Sequence, residues 1–256
     1  MIKVASGYKR AAPTKSAASL TASFAKRRLC TAIISVVGVM VVMVSAGPAF
    51  AAVPLQLVYR VSHSMIGNLG SYSCTVEPRG NGVTEISTHE HIDASVLGIP
   101  LYRMDAAGTE RWQGNRLVSF HGVTENPSGR VEVRGEAQGS HFVIMSPQSM
   151  STTAGTVHPA EPCAPDFLQS TTILRPDTGG IEQVRISGGA PASVVIDGNP
   201  TPVRKYILDG KTRYTAWLDS RNVPVMFAIE DGTGEATFTL ARCVSCNAAA
   251  YRPGTR

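Results

Sequence analysis

From Leu55 onward the sequence advances by twos. In "LQLVYRV", Leu55, Leu57, Tyr59 and Val61 fall on one face, and Gln56, Val58 and Arg60 on the other. A strand turns successive side chains to opposite faces, so this rhythm fits a half-buried strand and no helix. It returns in YSCTVE, VTEISTHEHI, NRLVSFHGV, RVEVRGE, ASVVIDG, PVRKYILDG, KTRYTAWLD, PVMFAIEDG and GEATFTLA. Between these segments stand PRGNG, Asn126-Pro127-Ser128-Gly129, Asp209-Gly210 and Asp231-Gly232. The two Asp-Gly pairs suit tight hairpins, because glycine accepts the positive φ of a type I′ turn. After residue 51 nothing keeps helical spacing beyond a short turn near Pro165 to Gln169. A sheet with one oily face must cover it. The expected fold is therefore all-β: a long antiparallel meander curled into an open barrel or half-barrel.

The first 51 residues are of another kind. Lys26, Arg27 and Arg28 precede the apolar run Leu29 to Gly47, which ends in Ala49-Phe50-Ala51. Basic block, apolar run and small-x-small site read as an export signal helix cut after Ala51. The run is nearly long enough to span a bilayer if kept, but Pro48 and the small residues around it favour cleavage. Cys30 lies before the run's end, so no lipid-modified N-terminus is expected. Periplasmic or secreted placement follows, with no membrane span after cleavage. The leader carries seven Lys or Arg and no acid; without them 17 basic groups face 19 acidic ones, a balance of −2. The overall +5 thus belongs to the leader, and no basic patch speaks for nucleic acid. Residues 52–242 make a single β domain with a Ser/Thr/Pro-rich loop near 146–165, and residues 243–256 form a C-terminal C-x-x-C tail.

Cys74, Cys163, Cys243 and Cys246 remain in the exported part. An even count in an oxidising compartment favours disulfides, of which four cysteines allow three connectivities. A C-x-x-C pair in a redox enzyme opens a helix; here it follows the strand-like ATFTLAR and precedes the small-residue tail NAAAYRPGTR. Asn247 stands where a c-type haem would need histidine, and Cys74 and Cys163 make a poor second half of a zinc site. Structural disulfides joining the C-x-x-C segment to Cys74 or Cys163 are expected, and no cofactor.

His89 and His91 stand one residue apart in "STHEHIDASV". Alternation places Ile86, Thr88, Ile92, Ala94 and Val96 on one face, and Glu85, Ser87, His89, His91 and Asp93 on the other. Two imidazoles of such a pair point the same way roughly 7 Å apart, which a zinc or iron ion can bridge. His89 and His91 are thus the candidate metal ligands, with Asp93, His63, His121 or His141 as possible thirds. The competing reading is a solvated strand face. Glu110, Arg111 and Trp112 could belong to a site, though a charged pair beside a packed Trp reads more simply as a strand edge. No G-x-S-x-G elbow, P-loop, G-x-G-x-x-G or H-E-x-x-H is present.

Gly98 and Pro100 together should bend the strand after Val96, since glycine permits a bulge and proline removes a ladder donor. The block Val96-Leu97-Gly98-Ile99-Pro100-Leu101-Tyr102-Arg103, followed by Glu110-x-Trp112 and Leu117, resembles a family of exported, mostly proteobacterial proteins known as a domain of unknown function. "TTILRPDTGGIEQVR", "TAWLD" and "EDGTGEATFTL" extend the resemblance over most of the chain beyond the leader. The chain departs from that pattern near Pro162 to Phe167, where an aromatic-rich segment is expected, and in the C-x-x-C tail. The resemblance implies no reaction and no catalytic residues. In outline the meander is similar to the curved sheets of periplasmic lipoprotein carriers, an analogy of fold alone. The reading that results is an exported non-enzymatic β protein binding a hydrophobic small molecule, a lipid or an envelope component. A metal-dependent enzyme centred on His89 and His91 and a structural module for an envelope protein are the alternatives.

Overall fold

A computed structural model of the chain describes residues 53–163, 167–230 and 234–246. The leader with its Ala51 site, the Asp231-Gly232 turn and the tail from Asn247 lie outside the described residues. The alternating segments become β1 (Leu55–His63), β2 (Gly67–Gly80), β3 (Val83–Val96), β4 (Ile99–Gln113), β5 (Arg116–Asn126), β6 (Gly129–Gln138) and β7 (His141–Met145). Next come β8 (Met150–Ala154), β9 (His158–Pro159), a helical turn at Phe167–Gln169, β10 (Thr172–Leu174) and β11 (Ile181–Gln183). The chain then runs through β12 (Arg185–Ile196), β13 (Asn199–Asp209), β14 (Arg213–Leu218), β15 (Pro224–Glu230) and β16 (Glu235–Val244).

Thirteen strands form one sheet in the order β12-β13-β14-β15-β16-β1-β2-β3-β4-β5-β6-β7-β8, with every neighbouring pair antiparallel. The last strand pairs with the first, from Gln56 opposite Val244 to His63 opposite Ala236. The end strands β8 and β12 are not neighbours, so the sheet is large and antiparallel but not closed. One face gathers Leu57, Tyr59, Ile86, Trp112, Phe142 and Phe227 into a single core. Strands distant in the sheet share that core, so the sheet is curved. Tyr59 is fully buried, and its hydroxyl is satisfied by donating to the Pro224 carbonyl at 2.8 Å. A second, smaller cluster of Val194, Val203 and Val225 packs with Trp217 and Leu240, and Arg60 of β1 pairs with Asp197 beyond β12 at 2.6 Å.

Three sequence expectations are corrected here. Residues 146–165 are not one surface loop: they contain β8 and β9, and Val157, His158, Glu161 and Cys163 are buried. With β10 and β11, β9 makes a three-stranded sheet in the crossover between the two meanders, and Val157, Ile173 and Leu174 pack into the main core. Leu97 and Gly98, at φ 52° and 79°, reverse the chain between β3 and β4 instead of bending one strand. Pro100 then sits beside a bulge, where a missing ladder donor costs least. Asp209-Gly210 opens a longer connection without positive φ, whereas Asn81-Gly82 and Asp197-Gly198 adopt it.

Candidate functional site

The curved face does not fill completely. A cavity of about 620 Å³ lies along one half of it, lined by Val61, Ile66, Leu69, Ile92, Met104, Phe227, Ile229 and Phe238, among others. These come from β1, β2, β3, β4, β15 and β16 and from the β1–β2 turn, so the sheet's curvature makes the cavity. Ala94 and Ala106 leave room that larger inward residues would occupy. The other half is packed shut by Leu55, Cys74, Val76, Leu117 and the crossover residues Val157, Ile173 and Leu174.

Acidic groups interrupt this apolar wall. On β3 the inward face continues from Ile86 and Thr88 through Glu90 to Ile92 and Ala94, so period two sends Glu90 inward. The surface Glu90 exposes is cavity wall, and it has no hydrogen-bond partner among the described residues. Burial, then the nearby Glu161 and Asp177 carboxyls, push its pKa up to about 7. On β4 the same parity carries Glu110 inward beside Trp112. The strand-edge reading of the Glu110–Arg111 pair is therefore corrected at Glu110: it is fully buried beside the packed Trp112, whose indole N–H donates to its Oε2 at 2.6 Å, while Arg111 is exposed.

Glu161, from the crossover, meets this group. Tyr72 donates its hydroxyl to Glu161 Oε2 at 3.3 Å, and the Thr88 hydroxyl also serves that carboxyl. Glu110 Oε1 is buried and finds no donor if both acids are ionised. A proton on Glu110, donated to Glu161, resolves this; burial and the Glu161 charge hold the Glu110 pKa well above the usual carboxylate range. Burial raises Glu161 as well, though its donors offset part of that rise. The network joins β2, β3 and β4 to the crossover. Glu110→Gln, a neutral isostere able to donate to Glu161, should melt within about 1 kcal/mol of the parent. Glu110→Leu strands the indole N–H and the Glu161 carboxylate and should cost about 2–4 kcal/mol. Equal melting of the two variants in denaturant would rule out the shared proton.

One disulfide reinforces the same junction. Cys74 on β2 is bonded to Cys163 of the crossover, Cα atoms 6.5 Å apart, and Cys243 is bonded to Cys246. The expected link from the C-x-x-C segment to Cys74 or Cys163 is replaced by these two pairs. Cys163 could meet Cys74 only because the supposed loop enters the core, which strand periodicity does not reveal.

His89 and His91 project from the outer face of β3, away from the cavity. His91 Nδ1 lies 2.6 Å from Asp105 Oδ1, and this contact holds the Asp105 pKa below its ordinary value. His121 faces Glu132 at 2.9 Å, His141 lies beside Ser140 at 3.2 Å, and His63 Nδ1 accepts the Met65 N–H at 3.2 Å. Asp93 is exposed. Among the described residues no three His, Cys, Asp or Glu side chains group to hold a metal ion.

The model of DUF6134, a domain of unknown function, matches residues 65–241. The chain belongs to this family. The matched span covers β2 through most of β16, including the carboxyl network, the crossover and the cavity wall apart from Val61 and His63. Comparison with curated proteins returns no match. Among solved structures the chain is similar to the crystal structure of a β-barrel-like protein of the domain of unknown function DUF1849 from Brucella abortus. That likeness has 12% identity and a TM-score of 0.53, over 75% of this chain and 98% of that one. At such identity it supports the fold alone. A DUF1089 family protein from Pseudomonas aeruginosa aligns over 68% of this chain and 90% of its own at 11% identity, with a TM-score of 0.27 that bears on nothing further.

Proposed function

We propose that this chain is an exported binding protein that holds a hydrophobic small molecule or lipid in its cavity. The observation that carries the reading is the cavity itself: about 620 Å³, walled mainly by aliphatic and aromatic side chains with a few inward polar groups. Binding sites for small molecules have this size and composition. Glu90, its pKa raised to about 7, offers a hydrogen-bonding point among the apolar groups of the wall. The leader sequence and the Cys74–Cys163 bond support delivery to an oxidising compartment outside the cytoplasm. Ala106 provides the test, because its side chain borders the cavity and is not packed in the closed half. A neutral apolar dye such as N-phenyl-1-naphthylamine should brighten on binding the parent protein. Ala106→Phe should weaken that binding at least tenfold with an unchanged melting point. Organic extracts of the purified parent, analysed by mass spectrometry, should contain an apolar molecule that the variant lacks. Equal dye binding by both proteins would overturn the proposal.

A further inference from the structure

The two ends of the meander are chemically unlike. Because neighbouring strands are antiparallel, the β1–β2, β3–β4, β5–β6 and β7–β8 turns lie at one end, and the β2–β3, β4–β5 and β6–β7 turns at the other. The second end turns on Asn81-Gly82, Gly114-Asn115 and Gly139-Ser140, all small or polar. At the first end Met65 is 80% exposed, Leu97 97%, Ile99 64%, Leu101 56% and Met150 72%; toward the second, Val53 is 59%, Val195 66% and Val244 42% exposed, none of them at a hairpin tip.

Leu97 makes the contrast sharpest. Asn81-Gly82, Asp197-Gly198 and Leu97-Gly98 share one backbone geometry, with the first residue at φ 51°, 49° and 52° and the glycine at 72°, 80° and 79°. Asn and Asp tolerate that left-handed conformation, but leucine does so at a cost. The chain therefore accepts backbone strain to place a large apolar side chain in water, within seven consecutive uncharged residues from Val96 to Tyr102. The same end carries the cavity: Ile66, Ala94 and Tyr102 belong both to its turns or strand ends and to the cavity wall.

We propose that this apolar rim docks on a phospholipid surface, with the Leu97 hairpin tip entering the acyl region. Exposed apolar side chains grouped on one end mark an interaction site, and apolar insertion anchors a protein at a bilayer interface. A lipid surface fits better than a protein groove because the apolar groups sit on separate hairpin tips beside a cavity mouth. From there an apolar ligand can pass between bilayer and cavity without crossing water. Docking itself does not require a filled cavity, so it is read apart from the binding proposed above.

The full chain is expressed and the protein purified as the cell processes it, then floated with phosphatidylcholine vesicles. The parent should float with the vesicles, insensitive to raised salt. Leu97→Glu/Ile99→Glu/Leu101→Glu should lower the bound fraction at least tenfold, while Asn115→Glu, at the opposite end and without a left-handed backbone to strain, leaves it unchanged. The melting point should hold in both, since these side chains are solvent-exposed. Leu97→Trp should show an emission blue shift when vesicles are added. No parent flotation, flotation that survives the triple substitution, or indole emission from the Leu97→Trp variant that is indifferent to vesicles would each overturn the proposal. Loss of a dimer on triple substitution without vesicle binding would overturn it in favour of a second copy of this chain. Dye binding by the Ala106→Phe variant reports on the cavity independently of all these outcomes.

Discussion

Replacing Cys74 and Cys163 together by serine should lower the melting temperature by roughly 10 °C. The bond spans a sequence separation of 89 residues, so removing it frees a long loop in the unfolded chain. Loop-closure arguments put that effect at about 4–5 kcal/mol, with typical cross-links delivering about 2–4 kcal/mol. For a domain of this size each kcal/mol moves the transition by about 2–4 °C. A folded-state cost adds to it, because Cys163 lies two residues after Glu161 and holds the crossover against β2. Calorimetry of the parent with and without reductant, beside the double variant, checks the expectation. Cys243→Ser/Cys246→Ser is the internal comparison: that bond closes a separation of only 3 residues, so its loss should shift the transition by half as much or less. Indistinguishable midpoints for the parent and the Cys74/Cys163 variant would show that the crossover is held without the bond.

The second large effect is a pH dependence opposite to that of most carboxylates. Glu90 titrates near 7 in the folded protein, against 4.5 for an unperturbed glutamate. Below about pH 4.5 the side chain is neutral in folded and unfolded chains, and it exacts no penalty. Between there and about 7 the unfolded chain gives up its proton while the folded chain keeps it, so stability falls as pH rises. Above 7 the full cost stands, on the order of 3 kcal/mol. Glu161 and Asp177 reinforce the effect, and Tyr72, Tyr102, Arg175 and His63 line the same cavity. Asp105 and Glu132 work the other way, since their ion pairs are lost as pH falls. The diagnostic is therefore the difference between parent and Glu90→Gln in urea melts from pH 4 to 9. Glu90→Gln should be the more stable by about 2–3 kcal/mol at pH 8 and nearly equal to the parent at pH 4. A constant difference across that range would place the Glu90 charge in water. An ionised Glu90 also opposes an apolar guest, so dye affinity should fall as pH passes 7.

The meander was legible because alternation is a local property: Leu55, Leu57, Tyr59 and Val61 announce their face without reference to any neighbour. Pairing β16 with β1 was not, since nothing in either strand names a partner far away in the chain. Parity also held more information than was taken from it. Ile86 and Ile92 face inward, so Glu90 must do so, and Trp112 commits Glu110. A carboxylate between apolar neighbours reads as solvent-facing only when its residue type outweighs its position. His89 and His91 drew attention through chemistry, yet the same parity set them on the outer face. The crossover stayed hidden for another reason. Its buried residues include Thr172 and Ser170, satisfied by local contacts such as the Ser170 hydroxyl donating to the Thr156 carbonyl at 2.6 Å. Composition alone records such residues as wet. The cavity was beyond reach of the sequence because it depends on which strands the curve brings opposite the small inward residues Ala94 and Ala106.

The seating of β1 between β2 and β16 has a kinetic corollary. A strand that emerges near the start of the domain is left with one flank bare until the final strand has been delivered. Early hairpins can assemble, but the two meanders cannot be sewn together before β16 has emerged, and contacts so remote in sequence are slow to form.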